Sequence, residues 1–377
     1  MIETDSKITI IHTVFSLRKS SGITDAVAQS AMAGINGGYE TLIITWANKY
    51  SVDYDHVDPR IKVIKLGWNN NPLLRFFIFA WQLRNILKIF QAQKKKVMVH
   101  DHGLWMDSNI ASCLISFLCS APFIISPHGS LEDWAIAQKR IKKRIALLLY
   151  QKLCLKKAAF IHATSDSEKV SVLRFVPTAA VEVIGLGADL VKEKDVSKCN
   201  SKTAIFLSRI HKKKGIDLLI EAWARAVHDG WKLIIVGPDE DTYFDNVKDL
   251  IRERDLEEEI TLAGALYNYD KQQALSNSSL FILPTYSENF GLVVPEALIS
   301  GLPVITTNKT PWLGLQEIGC GWTISPDVDE LILALEEATA MSPLKLKLMG
   351  DIGRSWVVEN FTWGSFGKKM ISLYTKV

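Results

Sequence analysis

Two doubly wound α/β domains are the fold the sequence predicts, and three observations carry that expectation. The chain has 377 residues, more than one hydrophobic core usually supports. Short apolar runs alternate with longer stretches of helical periodicity along its whole length, the pattern of parallel sheets covered on both faces. Between two such series lies a charged, weakly periodic stretch, residues 187–201 with Lys192, Glu193, Lys194 and Asp195, which reads as a linker. The expected division is therefore residues 1–190 and 191–361.

In the first domain residues 7–15 (KITIIHTVF) form an opening strand, and residues 23–35 a helix approached through Ser20, Ser21 and Gly22. Gly22 is a turn residue whose loop can approach a ligand closely, but the G-x-G-x-x-G dinucleotide fingerprint is absent there. Strands follow at 40–46 and 61–66, then a long helical pattern at 73–93, a strand at 97–102 and a helix at 107–119. The strand at 123–126 ends in Pro127, His128 and Gly129. A helix over 139–156, a strand at 159–163, a helix over 165–174 and a strand at 181–184 complete the domain. In the second domain strands at 204–207, 232–236, 260–263, 280–283, 304–307 and 322–324 alternate with helices, and helices over 327–341 and 343–359 close the series.

The stretch 280–307 carries most information about chemistry. Its apolar run, residues 280–285, reads as a buried parallel strand, and the polar turn 286–289 follows at the carboxyl end. A helix is expected from Gly291, with Pro295 in its first turns, a stop at Gly301 and Pro303 beyond. Glu288 then lies just before the helix and Glu296 within its first turns, at the strand end where open α/β sheets bind ligands. Amides near Asn289, Phe290 and Gly291 suit a phosphate, and a carboxylate suits paired sugar hydroxyls.

Composition excludes several other classes. Five cysteines, at 113, 119, 154, 199 and 320, are odd in number and include no CxxC, which argues against a disulfide framework or a zinc site and for a reducing cytoplasm. Residues 1–7 are polar and acidic where a signal peptide needs a basic start and an apolar core. Residues 108–127 are interrupted by Pro122 and serines, so no transmembrane helix is expected. The net charge of +3 hides an asymmetry: residues 1–190 hold 23 Lys and Arg against 15 Asp and Glu, net +8, and residues 191–377 hold 21 against 26, net −5.

Glu288 and Glu296 have seven residues between them, and Asn289, Phe290 and Gly291 follow the first. The segment closely resembles the E-x7-E signature of the retaining glycosyltransferases of family 4. The resemblance covers essentially the whole chain and is strongest over residues 206–307. It implies a GT-B fold, two Rossmann-like domains facing across a crevice, with acceptor recognition in the first, nucleotide-sugar binding in the second, and the last helix (residues 362–377) packed back on the first. It also implies transfer of a sugar from a UDP- or GDP-linked donor to a hydroxyl of a glycan or lipid-linked acceptor. No cofactor, metal or nucleic acid enters that reaction, and assembly of a surface polysaccharide is the implied setting. Two rival readings are a nucleotide-sugar epimerase of the same fold and a non-catalytic sugar-nucleotide binding subunit.

Residue by residue, Arg209 and Lys214 bracket the basic turn 206–215 (FLSRIHKKKG) and match the cations that family members direct at the donor diphosphate. Fixed cations stabilise the negative charge that grows on a departing nucleoside diphosphate. By the same resemblance Glu296 would bind the ribose hydroxyls, while Glu288 and the backbone of Asn289, Phe290 and Gly291 would hold the transferred sugar. Gly237 would let the chain pass near the donor, and Leu266, in the segment 262–266, stands where the family packs the base. His128 occupies the position of a histidine near donor sugar and acceptor hydroxyl. The segment 185–189 (GLGAD) keeps Asp189 but lacks the family's Pro-Asn pair, and Gly22 lacks the paired glycines usual in the first loop.

His100 and His102 lie two apart on one strand, but no carboxylate or cysteine follows at ligand spacing, so a metal is not expected. Residues 73–96 combine Phe76, Phe77, Phe79 and Trp81 with Arg75, Arg84, Lys88, Lys94, Lys95 and Lys96, and residues 139–157 repeat the combination. Core-packed surface helices are one reading of these segments. Peripheral association with the anionic cytoplasmic face of the membrane is the other.

Overall fold

A computed structural model describes residues 8–18, 21–47, 58–192, 201–239 and 242–377. The leading segment 1–7, Ser20, and Glu193, Lys194 and Asp195 of the expected linker lie outside the described residues. The chain forms two compact units, Met1–Leu186 with Trp363–Val377, and Gly187–Thr362.

The first unit holds a seven-stranded parallel sheet of β1 (Thr9–Val14), β2 (Glu40–Ala47), β3 (Lys62–Gly67), β4 (Val97–His102), β5 (Phe123–Ser126), β6 (Phe160–Ala163) and β7 (Val181–Val183). Their order is β3-β2-β1-β4-β5-β6-β7. The second unit holds six parallel strands, β8 (Thr203–Leu207), β9 (Lys232–Val236), β10 (Ile260–Gly264), β11 (Leu280–Leu283), β12 (Val304–Thr307) and β13 (Gly321–Ile324), in the order β10-β9-β8-β11-β12-β13. In each sheet the order reverses beside its first strand, between β1 and β4 and between β8 and β11. Loops leaving two such neighbours diverge to opposite faces and open a crevice at their carboxyl ends.

The central strands read as continuous apolar runs because helices cover both faces. All of β1, β4, β11 and β12 is buried, and Trp46, Phe79, Phe206, Phe281 and Trp223 are almost fully enclosed. Each such side chain contributes about 1.5–3 kcal/mol relative to exposure. The helix after β1, α1 (Gly22–Asn36), begins at Gly22, and the last helix, Trp363–Thr375, packs on α1 through a face that includes Phe366, Met370 and Tyr374. Helix caps follow local chemistry: the side chain of Ser165 accepts from the amide of Glu168 at 3.2 Å and starts the helix Asp166–Phe175.

Several boundaries differ from the sequence expectation. Strand β11 keeps the expected bounds Leu280–Leu283 but leaves out the last two residues of the apolar run 280–285, because Pro284 has no amide for the ladder. The helix expected from Gly291 runs only over Val293–Ile299, so the amides of Asn289, Phe290 and Gly291 belong to the turn. The single helix expected over 139–156 is Arg140–Ala146, a π turn at Leu147–Gln151, and Lys152–Lys157. Apolar periodicity does not announce such a turn, which replaces i→i+4 by i→i+5 bonds for about one turn only. Short helices at Asp133–Ala137 and Leu315–Ile318 are too brief to leave a periodic signal. Among the described residues no helix is long and apolar enough to cross a membrane, and Cys113, Cys119, Cys154 and Cys320 are free thiols.

Candidate active site

In the second unit the pairing of β8 with β11, Ala204 opposite Leu280 and Ile205 opposite Phe281, brings the basic turn beside the first glutamate. Gly215 makes that docking possible: it has φ 70°, and a Cβ there would stand 2.0 Å from the carbonyl oxygen of Pro284. The amide of Tyr286 and the hydroxyl of Thr285 both donate to the carbonyl of Lys213, at 2.9 and 3.0 Å, and stitch the two loops together. Lys214 is thereby held in the protein, 5% exposed, and its ammonium donates to the Glu288 carboxylate as a buried ion pair.

Burial pushes the Glu288 carboxyl up, but the Lys214 ammonium, with Lys213 and Arg209 behind it, outweighs burial and holds it below the usual range. Arg209 itself is exposed at the end of β8. Glu296, half-buried in the first turn of its helix, pairs with Lys271 at 2.8 Å. That lysine stands on the helix Asn268–Ser276, where sequence reading had singled out no partner for Glu296. The turn between the glutamates is closely packed. Gly291 has φ 73°, and a Cβ there would lie 2.8 Å from Cγ of Glu288. Phe290 is a core residue, its ring edge-on to Trp312 at 5.2 Å while the indole N–H of Trp312 donates to its carbonyl at 2.5 Å. Asn289 is half-buried.

Gly237 and Leu266 lie on neighbouring loops of the same sheet edge. The close approach that Gly237 makes is to the carbonyl oxygen of Ser208, which a Cβ would meet at 1.7 Å, while its amide donates to Gly264 at 2.8 Å. Leu266 is half-buried between β10 and the helix that carries Lys271. Arg209, Lys214, Gly237, Leu266, Glu288, Asn289, Phe290, Gly291 and Glu296 thus gather at the carboxyl edge of one sheet. Gly22 and His128 belong to the other unit, and Gly22 is the exposed first residue of α1.

Two models of glycosyltransferase families match the chain, the 4-like domain over residues 21–187 and group 1 over residues 189–348. An uncharacterized glycosyltransferase of Haemophilus influenzae is 30% identical over 298 residues, 78% of this chain and 78% of the relative. The chain is a member of the glycosyltransferase family. A GDP-mannose:cellobiosyl-diphosphopolyprenol alpha-mannosyltransferase of Komagataeibacter xylinus is 24% identical over 67% of this glycosyltransferase and 65% of its own length. The crystal structure of Anabaena Alr3699/HepE in complex with UDP and glucose superposes with a TM-score of 0.78 at 18% identity, covering 98% of this chain and 100% of that one. The likeness shows the fold, the GT-B fold that the E-x7-E signature implied.

His128 follows β5 in a left-handed conformation, φ 50°, and Gly129 follows it at φ 75°. The turn is held by Glu168, a buried carboxylate the sequence did not single out, which accepts from the amides of Gly129 at 2.5 Å and Thr164 at 2.7 Å. His100 and His102 also gain a neighbour that the sequence did not single out. A third histidine, His12 of β1, pairs in register with His100, and ligand atoms of the three lie within 4.8 Å of one another. It joins from 88 positions upstream of His100, where no sequence spacing could have found it. The signal available was a polar residue inside a strand buried on both faces.

Proposed function

We propose that this glycosyltransferase moves a sugar, with retention of anomeric configuration, from a nucleoside-diphosphate sugar to a hydroxyl of a glycan or lipid-pyrophosphate-linked acceptor in surface-polysaccharide assembly. The observation that carries the reading is the buried Lys214–Glu288 pair with Arg209 beside it and Glu296 eight residues on. Arg209 and Lys214 hold the diphosphate, and this fixed positive charge takes up the role a cofactor or metal would otherwise have. Glu288 accepts from hydroxyls of the transferred sugar next to the Asn289–Gly291 turn. Glu296, paired with Lys271, accepts from the ribose hydroxyls, with Leu266 against the base and Gly237 in the same wall.

In the reaction the C1–O bond to the β-phosphate breaks and its electron pair leaves with the nucleoside diphosphate. The acceptor oxygen bonds to C1 on the same face, and its proton passes to the departing phosphate oxygen. Relatives that use GDP-mannose or bind UDP support a nucleotide donor.

The surface of the first unit supports a site of action at the cytoplasmic face of an anionic membrane. Ile141, Leu148 and Leu149 are each at least 75% exposed on the helical stretch 140–157, which also carries Arg140, Lys142, Arg144, Lys156 and Lys157. Trp81 and Phe77 are exposed on the helix Pro72–Ala92. Phe79 and Arg75, counted among the membrane-facing residues from sequence, are instead buried, Arg75 in an ion pair with Asp107 at 2.6 Å. NMR of the product tests the function: the linkage should keep the donor's anomeric configuration. An inverted linkage refutes it, and an altered sugar nucleotide released without acceptor identifies an epimerase.

A further inference from the structure

Two chains of hydrogen-bonded imidazoles run through the first sheet. One has a direction that can be read from its end. His162 Nε2 lies 2.9 Å from the carbonyl oxygen of Ile184, which only accepts, so that nitrogen carries the proton and His162 Nδ1 is an acceptor. Ser126 therefore donates to His162 Nδ1 at 2.8 Å and accepts from His100 Nε2 at 2.8 Å. His100 Nδ1 is then left to accept from the hydroxyl of Tyr374 at 3.0 Å. This chain ties the last helix to the sheet and fixes every proton in it.

The second chain ends at His128. His12 Nδ1 stands 3.0 Å from His102 Nε2, and His102 Nδ1 stands 3.1 Å from His128 Nε2. The rings of His102 and His128 are nearly parallel, 12° apart. A neutral imidazole has one N–H and one lone pair, so the three protons must lie all on Nδ1 or all on Nε2. The far end decides between them: His12 Nε2 is buried and has no hydrogen-bond partner among the described residues. Buried N–H groups without a partner are the rarer case in proteins, which assigns the lone pair and not the proton to His12 Nε2.

We propose that His12 and His102 are positioning residues that fix His128 as its Nδ1–H tautomer, so that it offers a substrate oxygen a hydrogen-bond donor and does not serve as a base. The inference rests on the proposed function, with His128 in the place near donor sugar and acceptor hydroxyl that the family resemblance implies. Burial pushes His12 and His128 down to about 3, and His102 well below its ordinary value, so the relay is neutral at working pH. A metal among His12, His100 and His102 is disfavoured, because it would break both chains. The neighbouring carboxylate, Asp101, is already bound by Thr13 at 2.6 Å and by Asn109 at 2.8 Å.

Long-range 1H–15N spectra of the full chain at pH 7.5, without substrate, read which nitrogen of each histidine is protonated. Nδ1–H at His12, His102 and His128 is expected. His12→Asn, whose amide N–H can replace the Nδ1 donor, should keep that pattern at His102 and His128. His12→Phe removes the donor and should convert or mix their tautomers, with kcat down on the order of tenfold and donor KM nearly unchanged. Nε2–H at His128 in the wild type, or an unaltered His128 tautomer in His12→Phe, overturns the proposal. If His12→Phe does not fold, the wild-type and His12→Asn spectra still decide. Because the tautomers are read without substrate, a failed transferase assay with the expected spectra counts against the proposed function and leaves the relay standing.

Discussion

Lowering the pH from 7.5 to 5.5 is expected to loosen the first unit by an amount that follows from its histidines. His12, His100, His102 and His162 are each at most 2% exposed. Burial pushes His12 to about 3 and His162 to about 4, and His100 and His102 well below the ordinary value of 6.5. Because the folded values lie below the unfolded one, the stabilisation is complete above pH 6.5 and is lost as the pH falls from there toward the folded values. Over this interval each unfolded-state histidine gains about 1.4 kcal/mol from proton uptake that the folded state cannot match, about 5 kcal/mol for four.

Asp101 acts in the opposite sense. Burial raises its carboxyl from 3.8 to about 7, against the hydrogen bonds from Thr13 and Asn109, so the folded state takes up its proton first. That offsets about 2 kcal/mol over the same interval, leaving a net loss of about 3–4 kcal/mol, a large share of a typical domain stability of about 5–15 kcal/mol. Amide hydrogen exchange of Val97–His102, corrected for the intrinsic pH dependence of exchange, reads the opening free energy of this sheet. Equal opening free energies at the two pH values would refute the reasoning, since the buried imidazoles would then have to accept protons in place.

Three other outcomes are expected. Lys214→Ala leaves Glu288 buried without its counter-ion and should cost about 3–5 kcal/mol of stability, and Lys214→Met with Glu288→Gln should recover much of that loss in thermal unfolding while nucleotide titration still reports weakened binding. Gly237→Ala should destabilise the second unit by about 3 kcal/mol in denaturant melts, because its Cβ has only 1.7 Å to the Ser208 carbonyl oxygen. Co-sedimentation with anionic vesicles at low salt should exceed that with neutral vesicles, fall at high salt, and weaken in Leu148→Ser/Leu149→Ser; equal binding to both vesicle types removes the membrane model.

The alternation of strands and helices and the donor-site candidates were legible in the chain because they are local. Lys214, Glu288 and Gly291 sit in turns next to the strands that deliver them, Glu296 sits in the first turn of the helix that follows, and a doubly wound sheet puts such turns on one edge. Proline chemistry was readable in principle, and the stop of β11 before Pro284 follows from the missing amide alone. What neighbours each candidate was not legible, because it depends on strand order. Lys214 meets Glu288 only since β8 lies against β11, and Glu296 meets Lys271 from a separate helix. The histidine chains show the same limit most clearly. His12, His102 and His128 come from three strands or strand ends, and each alone reads as a polar residue in an apolar run. Only the register of β1 on β4 and of β4 on β5 turns them into one hydrogen-bonded unit.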